Sequence, residues 1–212
     1  MDGYIKQIKN MEINIKKNAR IIMLGGYKMK ITISGRIGSG KSTIGKLLAQ
    51  RLGLKHYSTG GFMRQIAKEK GKTLLELSKI AEKSDEIDRI LDERQMSLGE
   101  IEDDFLIDAR LGFYFIPDSI KIFLDVDINE ATKRIYNEKR LDEANQSLED
   151  TLKNIKIRQE SEKARYERYY GIDVSDKANF DIWIDTSNKS PKEIIELILA
   201  KIRDIQEKRA KS

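Results

Sequence analysis

Residues 30–43 read Lys30-Ile31-Thr32-Ile33-Ser34-Gly35-Arg36-Ile37-Gly38-Ser39-Gly40-Lys41-Ser42-Thr43. A β-rich run of five residues enters a turn holding Gly35, Gly38 and Gly40. A helical run follows over 41–52, with Ile44, Leu47 and Leu48 on one face. The stretch Gly35–Ser42 fits the pattern G-x-x-x-x-G-K-S/T. Glycines let the chain curl until successive backbone N–H groups point inward, toward phosphate oxygens. The helix beginning at Lys41 adds its positive end. In that arrangement Lys41 reaches the β- and γ-phosphates of a nucleoside triphosphate, and the Ser42 hydroxyl is a ligand for Mg²⁺. A chance match in a glycine turn is the competing reading, and the strand before it and the helix after it argue against that. The expected triphosphate cradle is therefore Gly35, Arg36, Ile37, Gly38, Ser39, Gly40, Lys41, Ser42 and Thr43.

Outward from this loop the pattern alternates between strands and helices. Two helical stretches fill about 62–70 and 73–98, separated at Gly71. Strands follow at Phe105-Leu106-Ile107-Asp108 and at Ile120–Asp125, the latter opened by Pro117-Asp118. Helices are expected over about 128–140 and 148–170. Asp181–Asp185 reads as a fourth strand, and Ser190-Pro191 starts the last helix with Pro in its first turn. Near-continuous apolar strands separated by helices predict an α/β fold, a central parallel sheet covered by helices on both faces. His56 reads as a strand-end residue with a satisfied hydrogen bond. Tyr166, Tyr169 and Tyr170 read as packing of a helix end in preference to stacking on a base.

Of the 212 residues, 39% are apolar, enough for one globular core. Cysteine is absent and His56 is the only histidine. That excludes disulfides, thiol catalysis and cysteine-based zinc sites, and leaves no histidine cluster for a metal. No apolar run approaches the ~20 residues of a membrane span. The net charge of +5 is concentrated at the start, because residues 1–28 carry Lys6, Lys9, Lys16, Lys17, Arg20 and Lys28 against Asp2 and Glu12. Two domains follow: a basic, loosely ordered extension over 1–28, and a catalytic unit over 29–212. Tyr4, Ile5, Ile8 and Met11 at helical spacing offer a weak amphipathic alternative for the extension. The nearly neutral remainder indicates no nucleic-acid groove. With no secretory signal, the expected location is cytoplasmic, and the Asn145-Gln-Ser and Asn188-Lys-Ser sequences carry no glycan.

Phosphoryl transfer to a phosphorylated acceptor brings two anions together, so such sites gather arginine forks. Arg64, Arg110, Arg134, Arg158 and Arg165 are candidates, and Asp108 ends a buried strand where an acidic residue orients Mg²⁺ through water. Surface ion pairs are the competing reading for each arginine, and a turn or capping role for Asp108. As a set they favour two anionic substrates.

Four stretches together resemble the cytidylate kinases, a family of P-loop nucleoside monophosphate kinases. They are Lys30–Thr43, Ser58-Thr59-Gly60-Gly61-Phe62-Met63-Arg64, Asp108-Ala109-Arg110 and Pro117–Asp125. The run from Arg158 through Glu162 and Arg165 to Tyr166, with Tyr170-Gly171-Ile172-Asp173, is similar to the short archaeal-type form. The resemblance spans about residues 29–205. It implies a P-loop kinase fold with helical acceptor-binding and lid segments, and Mg²⁺-dependent transfer from ATP to CMP or dCMP. Lys41, Arg134 and Asp108 would be catalytic, with Ser42 and Asp108 at the metal. Thr59, Arg64, Arg110, Arg158, Glu162 and Arg165 would hold the acceptor, and Asp185-Thr186-Ser187 would lie near the adenine. Two departures stand out: Ala109 replaces a glycine, and Arg36-Ile37 replaces a pair of prolines.

Arg158, Glu162 and Arg165 fall at i, i+4 and i+7 on one helix face, beyond the point where the apolar stripe Leu148, Leu152, Ile155 fades. That half of the helix is expected to leave the core, and an ion-pair ladder is the alternative role for the face. Partners are expected to be small-molecule nucleotides only, with no nucleic acid, no membrane and a monomeric chain. Rival activities are phosphorylation of AMP, UMP or shikimate, and a P-loop ATPase that switches a partner or RNA complex.

Overall fold

Strand β1 (Met29–Gly35) carries isoleucine at 31 and 33 and hydroxyls at 32 and 34, and alternation sends the two sets to opposite faces of a sheet. In the computed structural model, which describes residues 28–81, 84–138 and 147–211, both faces of that strand are covered. The segment 1–27 and the sequence at Asn145 lie outside the described residues. After β1 come α1 (Lys41–Leu52), β2 (Lys55–Ser58), α2 (Thr59–Glu69), α3 (Leu74–Ala81), α4 (Glu86–Ile101) and β3 (Asp104–Asp108). The single turn α5 (Gly112–Phe115), β4 (Ile120–Asp125), α6 (Ile128–Asn137), α7 (Leu148–Tyr170), a 3₁₀ turn (Lys177–Asn179), β5 (Ile182–Asp185) and α8 (Pro191–Lys211) follow among the described residues. The five strands are parallel, in the order β2-β3-β1-β4-β5.

One face buries Ile31, Ile33, Ile122, Leu124, Ile182 and Ile184 against α1 and α8. The other packs Phe105 and Ile107 against α2, α3 and α4. Each such side chain contributes about 1.5–3 kcal/mol on burial. The chain moves to one side of β1 through α1 and to the other side of it later, so the loop after β1 sits where the strand order reverses. Open α/β sheets hold their ligands there.

Three expectations are corrected. The fold has a fifth strand, β2, whose four residues Lys-His-Tyr-Ser offer no apolar run to read. The helix expected over 73–98 is two, α3 and α4; Ser84 and Asp85 fall at the break, and the Ser84 hydroxyl accepts from the Glu86 N–H at 3.4 Å. Short polar side chains of this kind bond locally and end helices. The second half of α7 does not leave the core entirely: most of it is exposed, but Tyr166 is buried against Leu111 and Phe113.

The loop after β1 is fitted tightly to its neighbours. A Cβ on Gly35 would stand 2.5 Å from the Leu124 carbonyl oxygen, and one on Gly38 would stand 2.8 Å from Cα of Ala131 in α6. Gly38 also has φ +80°, a region side chains rarely adopt. Overpacking of this kind costs about 1–3 kcal/mol. Gly38→Ala is therefore expected to lower Tm by about 2–12 °C, as read by thermal unfolding.

Candidate functional site

Helix α1 begins at Gly40 with no side-chain cap and no acidic residue in its first turn. Its first amides have no acceptor among the described residues and open toward the concavity of the loop, the arrangement that binds anions. The loop is held from outside. The Arg36 N–H donates to the Leu124 carbonyl at 3.0 Å, and the Arg36 side chain leaves the loop to pair with Asp125 at 2.6 Å. Ile37 is buried with Ile135 of α6 and Ile155 of α7. A side chain where the resembled family has proline thus serves as an apolar peg.

Parallel pairing of β1 with β3 sets Asp108 beside Ile33, at the same end of the sheet as the loop. Asp108 is 2% exposed and its carboxylate pairs with the Lys41 ammonium. Burial pulls the Lys41 amine below its usual range, and Asp108 pulls it part of the way back. The Ser42 and Thr43 side chains are exposed at the start of α1. Thr59, the first residue of α2, donates its hydroxyl to the Asp108 carbonyl at 3.2 Å. Arg64 is exposed one turn further along α2.

Behind the sheet, the Ser34 hydroxyl points at two successive carbonyls, Ala109 at 3.0 Å and Arg110 at 2.9 Å. This aims Arg110 outward. Its guanidinium reaches the Gly35 carbonyl at 3.3 Å and Glu162 of α7 at 2.9 Å, and Glu162 also pairs with Arg158 at 3.2 Å. Ala109 itself is 1% exposed within the core, so its methyl group is away from any ligand.

The expected lid face is split. Arg165 pairs across with Asp88 of α4 at 3.5 Å, and does not join Arg158 and Glu162. Arg134, which the resemblance puts near the transferred phosphoryl group, lies beside the phosphate loop. It leaves α6 toward Glu130, the Gly38 carbonyl and the carbonyls of Thr186 and Ser187, the last two at 2.8 and 3.1 Å. Position 134 lies on the side of α6 facing the phosphate loop and the β5–α8 turn, so the guanidinium braces one against the other. The Asp185-Thr186-Ser187 turn is fixed in the same place, with the Thr186 hydroxyl donating to the Asp125 carbonyl at 2.9 Å. His56 departs from expectation too: its Nε2 is buried and finds no partner among the described residues. The imidazole lies against Gly45, where α1 presents no free acceptor, and burial lowers its pKa.

Sequence reading missed a polar seam between α4 and α7. Tyr170 donates its hydroxyl to Asp92, and burial pushes the Asp92 carboxyl up to about 6. One turn along α4, the Gln95 side chain is 3% exposed, and its Oε1 has no partner among the described residues. The available signal was Asp88 and Asp92 at i, i+4, a repulsive spacing on a helix unless something distant compensates.

A cavity of about 570 Å³ beside the loop is lined by Arg36, Asp125, Lys177, Trp183 and Asp185, and contains neither Lys41 nor Asp108. Among the described residues there is no cluster of three metal-ligating side chains, and no helix is long and apolar enough to cross a membrane.

The model of the cytidylate kinase-like family matches residues 30–188. A cytidylate kinase of Natronomonas pharaonis is 39% identical over 165 residues, covering 77% of this chain and 83% of that protein. One of Methanobrevibacter smithii is 33% identical, covering 84% and 100%. Among solved structures, a shikimate kinase of Bacteroides thetaiotaomicron superposes with a TM-score of 0.61 at 15% identity, over 84% of this chain and 98% of that one. At that identity the likeness is one of fold.

The Asp92 carboxyl has a testable effect on stability. Its folded pKa of about 6 lies above the ordinary 3.8, so between those values the folded chain binds more protons than the unfolded chain. Stability contributed by this group falls as pH rises through that window and stays lower above it. Asp92→Asn is expected to melt no lower than the parent at pH 8, with any advantage shrinking at pH 5. Melting curves at the two pH values measure this, and a large loss at pH 8 contradicts it.

Proposed function

The chain belongs to the cytidylate kinase-like family, and from that membership and the site geometry we infer that it is an ATP-dependent kinase converting CMP to CDP. The observation that carries the reading is the Arg110 guanidinium, which touches the phosphate loop at Gly35 and the α7 face at Glu162. It links a cradle for one phosphate chain to a second surface for an anionic acceptor. An ATPase that only switched a partner has no use for that second surface.

In this reading the loop amides and Lys41 hold the β- and γ-phosphates, while Arg64 and Arg110 hold the acceptor phosphate. Thr59 supports the acceptor from the start of α2, and Arg158, Glu162 and Arg165 line its ribose and phosphates. The reading includes dCMP, which differs from CMP only in lacking the 2′-hydroxyl. An oxygen of the acceptor phosphate attacks the γ-phosphorus as the bond to the β–γ bridging oxygen breaks, and ADP leaves. No protein base is needed, because a phosphate monoester with a second pKa of about 6 is already largely ionised. The contribution of the chain is positioning and charge. Arg134 acts at one remove, fixing the phosphate loop to the Thr186-Ser187 turn, beside which the adenine is placed.

The exposed Ser42 hydroxyl and the Asp108 carboxylate are hard oxygen donors on either side of Lys41, a set that fits Mg²⁺ held mainly by substrate phosphates and water. Mg²⁺, when bound, neutralises charge on the β- and γ-phosphates. Lys41 gives up Asp108 for the phosphates, so neither ion is left unpaired. All of these residues lie within the unit 29–212. We further propose that the reaction runs in the cytoplasm, in a monomer.

A panel of acceptors tests the reading. ADP formation by the purified chain is expected to depend on the acceptor and to be fastest with CMP or dCMP. Slow phosphate release without any acceptor supports the switch instead, and shikimate-dependent turnover supports the rival kinase. Lys41→Ala is expected to reduce kcat by several orders of magnitude with the fold intact, since its charge is needed most as the phosphoryl group moves. Arg110→Ala is expected to raise KM for CMP roughly ten- to a hundredfold, and KM for ATP far less.

A further inference from the structure

None of the residues assigned above reads the base of the acceptor. Thr59, Arg64 and Arg110 are given to its phosphate end, and Arg158, Glu162 and Arg165 to its ribose and phosphates. We propose that Asp92, together with Gln95 one turn further along α4, binds the acceptor base and selects one that carries an exocyclic amine. The inference rests on the kinase reading and names the specificity of that same site.

The seam between α4 and α7 has the right course. From the phosphate side it begins with Glu162 on Arg110, continues with Tyr166 over Leu111 and Phe113, and ends with Tyr170 on Asp92. Eight residues of helix separate Glu162 from Tyr170, a rise of about 12 Å. A nucleotide whose phosphate lies at Arg110 extends its base along this line. Arg165, on Asp88 at 3.5 Å, stands where ribose gives way to base.

The polar atoms at the far end are acceptors. Tyr170 occupies Oδ2 of Asp92 and leaves Oδ1 for another donor. The Gln95 Nε2 donates to the Leu91 carbonyl at 3.3 Å, and its buried Oε1 has nothing to accept from among the described residues. A buried acceptor without a donor is an unfavourable state that a bound donor relieves. At neutral pH the Asp92 carboxyl, with a pKa of about 6, is mostly ionised and accepts only. The amine of cytosine offers two N–H donors to these atoms. The corresponding carbonyl of uracil would face carboxylate and amide oxygens. Sites built this way reject the analogue lacking the donor more strongly than apolar pockets reject a missing methylene.

The alternative is that Asp92 serves only to tether α7. Steady-state kcat/KM for CMP, AMP and UMP, with the full chain, Asp92→Asn and Tyr170→Phe, separates the two. The parent is expected to prefer an amine-bearing acceptor. Asp92→Asn should lower kcat/KM for that acceptor roughly ten- to a hundredfold, leave UMP unchanged or improved, and leave KM for ATP unchanged. Tyr170→Phe removes the tether but keeps the carboxylate, so the amine-to-carbonyl preference should persist. If Tyr170→Phe reproduces Asp92→Asn, or Asp92→Asn weakens all acceptors equally, the base-reading role is wrong while the kinase reading stands. A parent preferring UMP overturns the inference directly. A parent that phosphorylates no monophosphate removes the kinase reading and the inference with it.

Discussion

At Gly38 the phosphate loop and α6 approach until no methyl group fits between them, and much of the molecule is arranged around that contact. On one side Ile37 is pegged between Ile135 and Ile155, so the loop is part of the small core that also joins α6 to α7. On the other, Arg134 spans from the Gly38 carbonyl to the Thr186 and Ser187 carbonyls. Within the loop the Ser39 N–H donates to the Arg36 carbonyl at 3.2 Å, and the curl is otherwise held from outside. An anion arriving there meets donors already oriented, and little ordering remains to be done on binding.

The electrostatics follow a common rule. Lys41 pairs with Asp108, Arg110 with Glu162, and Arg165 with Asp88. Each of these cations is partly covered, and a covered charge without a counter-ion is costly. In the proposed mechanism these carboxylates hold the places that substrate phosphates take. Exchange of one anion for another lets the cations change partners with modest change in their burial. On the proposed reading the same carboxylates are then released toward other work: Asp108 toward a metal ion, Glu162 toward a sugar hydroxyl.

How much of this was legible in the sequence depends on the distance over which each feature is encoded. The phosphate loop is written in fourteen contiguous residues, and its strand, turn and helix fall where the pattern puts them. The spacing of Arg158, Glu162 and Arg165 correctly gave a shared helix face, but not that Arg165 turns to α4 while Glu162 turns to Arg110. Those partners are chosen by packing. Tyr170 and Asp92 are 78 positions apart, and nothing local marks them as neighbours. Strand β2 was legible only as a strand end at His56, because an edge strand of four residues needs little apolar content, and His56 within it lies against the bare backbone of Gly45.

Strand β1 shows why polar residues persist in the interior of such a sheet. Thr32 and Ser34 are fully buried, at a position where isoleucine would add apolar contact. Thr32 shares a hydrogen bond with Ser119 at 3.0 Å, ahead of β4, and Ser34 holds the carbonyls of Ala109 and Arg110, beyond β3. The central strand thus grips segments next to both of its neighbours through side chains, in addition to the backbone ladder. Only the Ser34 contact bears on the site. A backbone whose carbonyls are fixed from behind cannot rotate its next side chain freely, so the direction of Arg110 is set from beneath the sheet. Ala109 fits the same logic: with its methyl group in the core, it anchors the turn whose outer side carries the arginine.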